Sequence, residues 1–288
     1  MIKIAIIGAG RLGTSLGRAL AKKGHKITAL TCRRKASAAE SRAIVGQGRA
    51  LTDNAAAARM ARVIFLCLPD EVIPGVASRL ARSRVDWSGK TVFHTSGLLP
   101  ARVLDPLQER GAAIASFHPV QSFPSKTMRP AHFRGISFGL EGDRNAVALA
   151  SAFVRRLGGR AVIIPEEAKS FYHAAFSFAG NFFVVLLNVA SCLLKEAKIP
   201  GDKAAGMLLP LLQGTLRNVK EFNIAASLTG PLVRGDAASV KAHLEALERW
   251  PRYAEVYRKL SLLGLEMAEK RGLKQRKFGA LKNLLAGK

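Results

Sequence analysis

The chain has 288 residues, 49% apolar and 23% charged, which excludes an intrinsically disordered polypeptide and leaves room for two domains. Its 45 Lys and Arg outnumber 20 Asp and Glu, for a formal net charge of +25, so polyanions are the first partners to weigh: a nucleotide cofactor, nucleic acid or an anionic membrane. The basic residues are spread along the chain rather than gathered in one block, so a generally basic surface accounts for them and nucleic acid is not the expected partner.

Cys32, Cys67 and Cys192 are widely spaced and form no Cys-x-x-Cys pair, which speaks against a disulfide framework or a metal site and suits a reducing cytosol. The start, Met1 to Ile7, has no long apolar h-region and reads as a first strand rather than a signal peptide. That strand, a helical pattern over Arg11–Lys23 through Leu12, Leu16 and Leu20, and the apolar run Lys26–Cys32 form a β-α-β unit. Between strand and helix stands Gly8-Ala9-Gly10-Arg11-Leu12-Gly13. Gly8 permits the tight turn, Gly10 lets a pyrophosphate approach the backbone, and Gly13 lets helix and strand pack. The helix N-terminus at Arg11 and Leu12 then faces phosphate with unpaired amides.

The second strand ends in Thr31-Cys32-Arg33-Arg34, with no carboxylate until Glu40 to accept from an NAD ribose. Two guanidiniums there suit a 2′-phosphate, so NADP is the expected cofactor. Further strands are expected at Val63–Leu68, Thr91–His94, Ala112–Phe117, Gly135–Leu140 and Arg160–Ile164. Leu68 and Pro69 then lie at the carboxyl edge of the sheet, beside the cofactor ribose or nicotinamide, while Cys67 is a packing residue. His94, leading into Thr95-Ser96-Gly97, and His118, leading into Pro119 to Phe123, both fall at strand carboxyl ends.

After Pro165 the strand signals stop and helical patterns follow, so the fold class is α/β: a mostly parallel Rossmann-type sheet domain over residues 1–165, then an all-helical domain over 166–288. Lys169, His173, Ser177 and Asn181 stand four apart and predict one polar stripe on an otherwise apolar helix, with Tyr172 one step around. Ser170–Leu194 carries no Asp, Glu, Lys or Arg and is long enough to cross a bilayer. His173, Asn181, Asn188 and three serines interrupt it, so a buried helix is expected and a membrane partner is not. So apolar a helix in a small domain predicts a homodimer through the helical domain. Farther on, Asp236 is read as an N-cap, and Arg234 as either a carboxylate binder or its partner.

These motifs, Gly8 to Gly13, His94-Thr95-Ser96-Gly97, His118 to Phe123, Lys169 with Tyr172-His173 and Asn181, and Leu228 to Asp236 with His243, resemble those of the bacterial Rossmann-like oxidoreductases with a C-terminal domain of unknown function 2520. That family is similar to pyrroline-5-carboxylate reductase, deazaflavin-dependent NADP reductase and the 6-phosphogluconate and β-hydroxyacid dehydrogenases. The resemblance implies an NADP-binding domain, a dimerising helical domain and an active site in the cleft between them. The Lys-then-Asn spacing of β-hydroxyacid dehydrogenases is not kept, because His173 follows Lys169 where Asn would stand.

The reading is a cytoplasmic NADP-dependent oxidoreductase acting on a small carbonyl or imine substrate. In it Lys169 or His173 donates the proton, Asn181 orients, and His118 or Ser96 holds the substrate. The rival is a non-catalytic NADP-binding sensor dimer.

Overall fold

A computed structural model describes residues 1–287, which fall into two compact units, Met1–Phe182 and Phe183–Lys288. The first is built on one sheet of eight strands: β1 (Lys3–Ile7), β2 (Lys26–Thr31), β3 (Arg49–Leu51), β4 (Val63–Leu66), β5 (Thr91–His94), β6 (Ala113–Pro119), β7 (Ser137–Gly142) and β8 (Arg160–Ile163). They lie in the order β3-β2-β1-β4-β5-β6-β7-β8. All pairs from β3 to β6 are parallel, β7 runs antiparallel to β6, and β8 is parallel to β7. The strand order reverses at β1, and at such a switch point an open α/β sheet offers a crevice beyond its carboxyl ends.

Alternation along the buried strands feeds two cores, one on each face. Ile4, Ile6 and Phe65 join Leu16 and Leu20 of the Arg11–Lys22 helix and Phe153 of the Arg144–Leu157 helix. On the opposite face Ile7, Ile64 and Leu66 pack with Val76 and Leu80 of the Ile73–Ala81 helix and with Trp87. Phe65, Phe93, Phe117 and Phe138, on four adjacent strands, form an aromatic row with neighbouring centroids 4.9, 5.8 and 5.1 Å apart. The rings, all fully buried, pack against one another across the sheet surface. The short strand β3 has no sequence counterpart among the expected runs, being only three residues that begin with an exposed Arg49.

The sequence boundary at 165/166 marks where strands end, but the compact units divide between Phe182 and Phe183. The physical reason is that Lys169 and Tyr172, beyond the last strand, bond back to β6 residues Ser116 and His118. Residues 166–182 therefore belong with the sheet.

The second unit is helical: Phe183–Glu196, Gly201–Phe222, Pro231–Arg234, Ala237–Ala246, Pro251–Lys270 and Gln275–Ala286. Its core is Val240, Leu244, Leu265, Leu281 and Leu285. Asp236 caps as expected, accepting from the Ser239 N–H at 3.0 Å and its hydroxyl at 2.6 Å. Among the described residues Arg234 forms no ion pair with it.

The expected burial of the long apolar helix is not met within the single chain. The helical stretch Glu166–Glu196 is long and apolar enough to span a bilayer by length and composition, yet its most apolar window has no buried residue. Val184 is 63% exposed, Val185 57% and Leu186 40%, because no other described residue covers them.

Candidate functional site

Gly8 begins the turn after β1 with φ +87°, a left-handed conformation that disfavours any side chain. A Cβ there would also collide with the Cys67 carbonyl and the Leu68 side chain, across the switch point. Gly13 is equally crowded, since a Cβ would stand 2.5 Å from Gly8 O and 3.0 Å from Ile6. Gly10 is different: nothing lies within 4 Å of where its Cβ would be. The protein's own packing therefore accounts for Gly8 and Gly13, whereas the space in front of Gly10 is open.

The turn is pinned from behind. Thr31 O accepts from the N–H groups of Gly8 and Ala9, and Ala9 O accepts from Thr14 Oγ1 at 3.0 Å and Ser41 Oγ at 2.8 Å. Gly10 N-caps the Arg11–Lys22 helix with no side-chain acceptor, and the first turn holds no acidic residue. Among the described residues the N–H groups of Arg11, Leu12 and Gly13 have no partner, so they present an anion-binding end. These features fit the pyrophosphate of a dinucleotide.

At the end of β2, Arg33 and Arg34 are exposed and form no ion pair among the described residues. The nearby carboxylates are otherwise engaged: Glu40 pairs with Lys126 at 2.7 Å, and Asp53 accepts from Ala55 and Ala56 N–H as a helix cap. Leu68 is half-buried and Pro69 exposed, both just past β4. Burial pushes the Cys67 thiol up to about 12, which suits packing and not a nucleophile.

A second constellation stands at the carboxyl ends of β5 and β6. Lys169, only 4% exposed, donates from Nζ to Ser116 Oγ at 2.6 Å, and Ser116 Oγ donates to Ser96 O at 3.2 Å. The Lys169 ammonium lies 3.8 Å from Glu141 Oε2, which also accepts from the Ala101 N–H at 2.8 Å. Burial pushes Lys169 down and Glu141 up, and their mutual attraction opposes both shifts. Asp70, in the turn after β4, also favours the charged lysine and so lies within its field.

His118 Nδ1 is 2.9 Å from Tyr172 Oη, and its ring packs edge-on to Tyr172 at 5.6 Å and to His173 at 6.5 Å. Burial, reinforced by the Lys169 and His173 charges, lowers His118 to about 4. His94 is fully buried and lowered to about 3 by burial. Both its nitrogens are engaged, Nδ1 by the Ser96 N–H at 3.2 Å and Nε2 by Pro100 O at 3.2 Å, so it is a structural residue. Ser96 is 4% exposed, and its Oγ accepts from the Leu98 and Leu99 N–H groups at 3.1 and 2.9 Å, shaping the turn.

The structure thus brings together His118, Lys169 and the half-buried His173. It does not extend the polar stripe to Asn181. The α-helix Lys169–Phe176 passes into a π-helical stretch, Ser177–Phe182, whose wider turns break a spacing of four. Asn181 is exposed there and makes no side-chain hydrogen bond among the described residues. Sequence reasoning passed over Ser116 and Glu141. A carboxylate in the apolar run Phe138-Gly139-Leu140-Glu141 is the signal that could have found the latter, since buried charges need partners.

Residues 1–119 match the Rossmann-like domain family and residues 136–263 match the domain of unknown function (DUF2520). No curated protein matches the chain. Among solved structures, a Bacteroides fragilis protein described as a "putative NADP oxidoreductase" is similar at 28% identity and TM-score 0.77, covering 92% of this chain and 98% of its own. Protein TM1727 of Thermotoga maritima follows at 26% identity and TM-score 0.72, covering 93% and 99%. Plasmodium falciparum pyrroline carboxylate reductase, solved with NADP bound, shares the fold at 14% identity and TM-score 0.60, covering 97% and 98%.

Proposed function

We propose that this chain, a Rossmann-like domain followed by a DUF2520 domain, is an oxidoreductase that uses NADP(H) to reduce a small carbonyl or imine compound. The observation that carries the reading is the space kept open at Gly10 between crowded Gly8 and Gly13, in front of unpaired amides at the switch point. The description of the Bacteroides fragilis neighbour supports the same class.

Gly8, Gly10, Arg11, Leu12 and Gly13 would hold the pyrophosphate, Arg33 and Arg34 the 2′-phosphate, and Leu68 with Pro69 the sugar or ring beyond. When bound, the cofactor supplies a hydride. The chain's own task is to hold the substrate at the carboxyl ends of β5 and β6. There His118 and His173 offer polar contacts, and the buried Lys169 ammonium supplies a positive field where electron density accumulates on the substrate heteroatom. Three free cysteines suit work in the cytosol.

The exposed apolar face around Val184, Val185 and Leu186 is the ground for a homodimer through the helical unit. Light scattering on the purified protein is expected to give twice the 30.9 kDa chain mass, and a stable monomer at micromolar concentration would refute it.

The test of function is calorimetry with NADPH, NADP and NADH, followed by absorbance-monitored oxidation of NADPH with a carbonyl and imine panel. Uptake of the phosphorylated dinucleotide with steady turnover supports the reductase. Tight binding without turnover of any substrate favours the sensor reading, and no uptake by folded protein overturns both.

A further inference from the structure

We propose that the donor to the substrate heteroatom is Nε2–H of a neutral His118, and that Tyr172 is the positioning residue that fixes this tautomer. The inference rests on the reductase reading and assigns the contact that this reading leaves open among Lys169, His173 and His118.

The alternatives are occupied. Lys169 Nζ is buried, donates to Ser116 and pairs with Glu141, so it acts as a fixed charge rather than a contact. His94 has both ring nitrogens bonded and no exposure. His118 has Nδ1 on Tyr172 and, among the described residues, no partner for Nε2. It is half-buried at the end of β6, on the sheet edge where ligands of this architecture lie.

The His118–Tyr172 pair occupies a seat cut by two glycines whose φ values are unremarkable for any residue. A Cβ on Gly97, after β5, would stand 2.8 Å from His118 Cε1, 2.9 Å from Nε2 and 3.0 Å from Nδ1. A Cβ on Gly139, in β7, would collide with the Tyr172 hydroxyl and stand 2.7 Å from Cζ. The His118 ring could not keep its place if Gly97 carried a side chain, nor the Tyr172 ring if Gly139 did. The backbone at Gly97 and Gly139 is thus shaped around this pair and not around His173.

The direction of the bond follows from what surrounds the phenol. Burial raises Tyr172 to about 12, so it carries its proton, and among the described residues His118 Nδ1 is the hydrogen-bond partner of its hydroxyl. A half-buried phenol O–H needs an acceptor, and with Nδ1 as its partner it points there. The ring proton must then sit on Nε2. Burial, with the Lys169 charge beside it, opposes a second ring proton and keeps the imidazole neutral. A neutral imidazole donating from Nε2 binds an atom with a free lone pair, so the ligand class is a carbonyl oxygen or an unprotonated imine nitrogen.

The experiment is nitrogen-15 NMR of the full-length protein labelled at histidine, with His118→Gln for assignment. At pH 7 wild-type His118 is expected to show a protonated Nε2 and an unprotonated Nδ1. Tyr172→Phe, which removes only the hydroxyl, is expected to shift the tautomer ratio about fivefold or more toward parity, with NADPH affinity unchanged by calorimetry. A proton on Nδ1 in the wild type, or the same ratio in Tyr172→Phe, overturns the proposal. Loss of NADPH binding in the wild type with the tautomer as stated would instead sink the reductase reading on which it rests, so the two failures are distinguishable.

Discussion

Ala9 and Thr31 are joined by a backbone hydrogen bond, the Ala9 N–H donating to the Thr31 carbonyl at 2.8 Å. This bond ties the end of β2 to the glycine turn, so Arg33 and Arg34 follow directly from the point that anchors the turn. Replacing both arginines by alanine is expected to weaken NADPH binding by about tenfold to a hundredfold, the scale of a lost charge-assisted contact, while leaving NADH binding as it was. Calorimetry with the two dinucleotides checks this, and equal losses for both would remove the 2′-phosphate assignment.

The glycines of the turn separate folding from binding. Gly10→Ala meets no protein atom within 4 Å and is expected to melt as the wild type does but to lose about tenfold or more in NADPH affinity. Gly8→Ala, with φ +87° and the Cys67 carbonyl in the way, is expected to destabilise the fold itself by about 1–3 kcal/mol. Thermal melts beside calorimetry distinguish the two.

The sheet was legible because its strands are apolar runs placed between helical spacings, and the strand–turn–helix at its start because Gly8, Gly10 and Gly13 stand between strand and helix. That Arg33 and Arg34 follow the end of β2 was legible from position alone. The rest depends on three-dimensional partners. Glu141 meets Lys169, and Ser116 meets both Lys169 and the Ser96 carbonyl, across strands that sequence does not align. His94 and His118 look equivalent at their strand ends, and only the bonds from the Ser96 N–H to His94 and from His94 to Pro100 O tell them apart. The π-helical stretch over Ser177–Phe182 left no periodic signal, so the stripe was extended to Asn181 through a helix that changes pitch.

Lys169 and Glu141 are a buried pair, and breaking one member leaves the other charge without compensation. Lys169→Met and Glu141→Gln are each expected to cost about 3–5 kcal/mol in chemical denaturation, and the double variant less than the sum. Additive losses would show that the two side chains do not interact.

Acid should weaken the protein through its histidines. His94 and His118 have folded values of about 3 and about 4 against an ordinary 6.5, so below 6.5 the unfolded chain binds more protons than the folded one. Their contribution is complete above that value and is lost as pH falls toward about 4. Denaturation midpoints measured across this window should drop, and His94→Gln should flatten the slope. An unchanged slope in that variant would show that His94 is not buried in neutral form.

Glycine content also sets where the molecule can be hardened. Gly206 and Gly214 sit inside the Gly201–Phe222 helix with empty space where a methyl would go, so alanine there should raise thermal tolerance by up to about 1 kcal/mol apiece. Gly97 and Gly139 offer the opposite case. Neither has a left-handed φ, yet each is hemmed in by an aromatic neighbour, so a thermostabilisation campaign guided by φ alone would choose them wrongly.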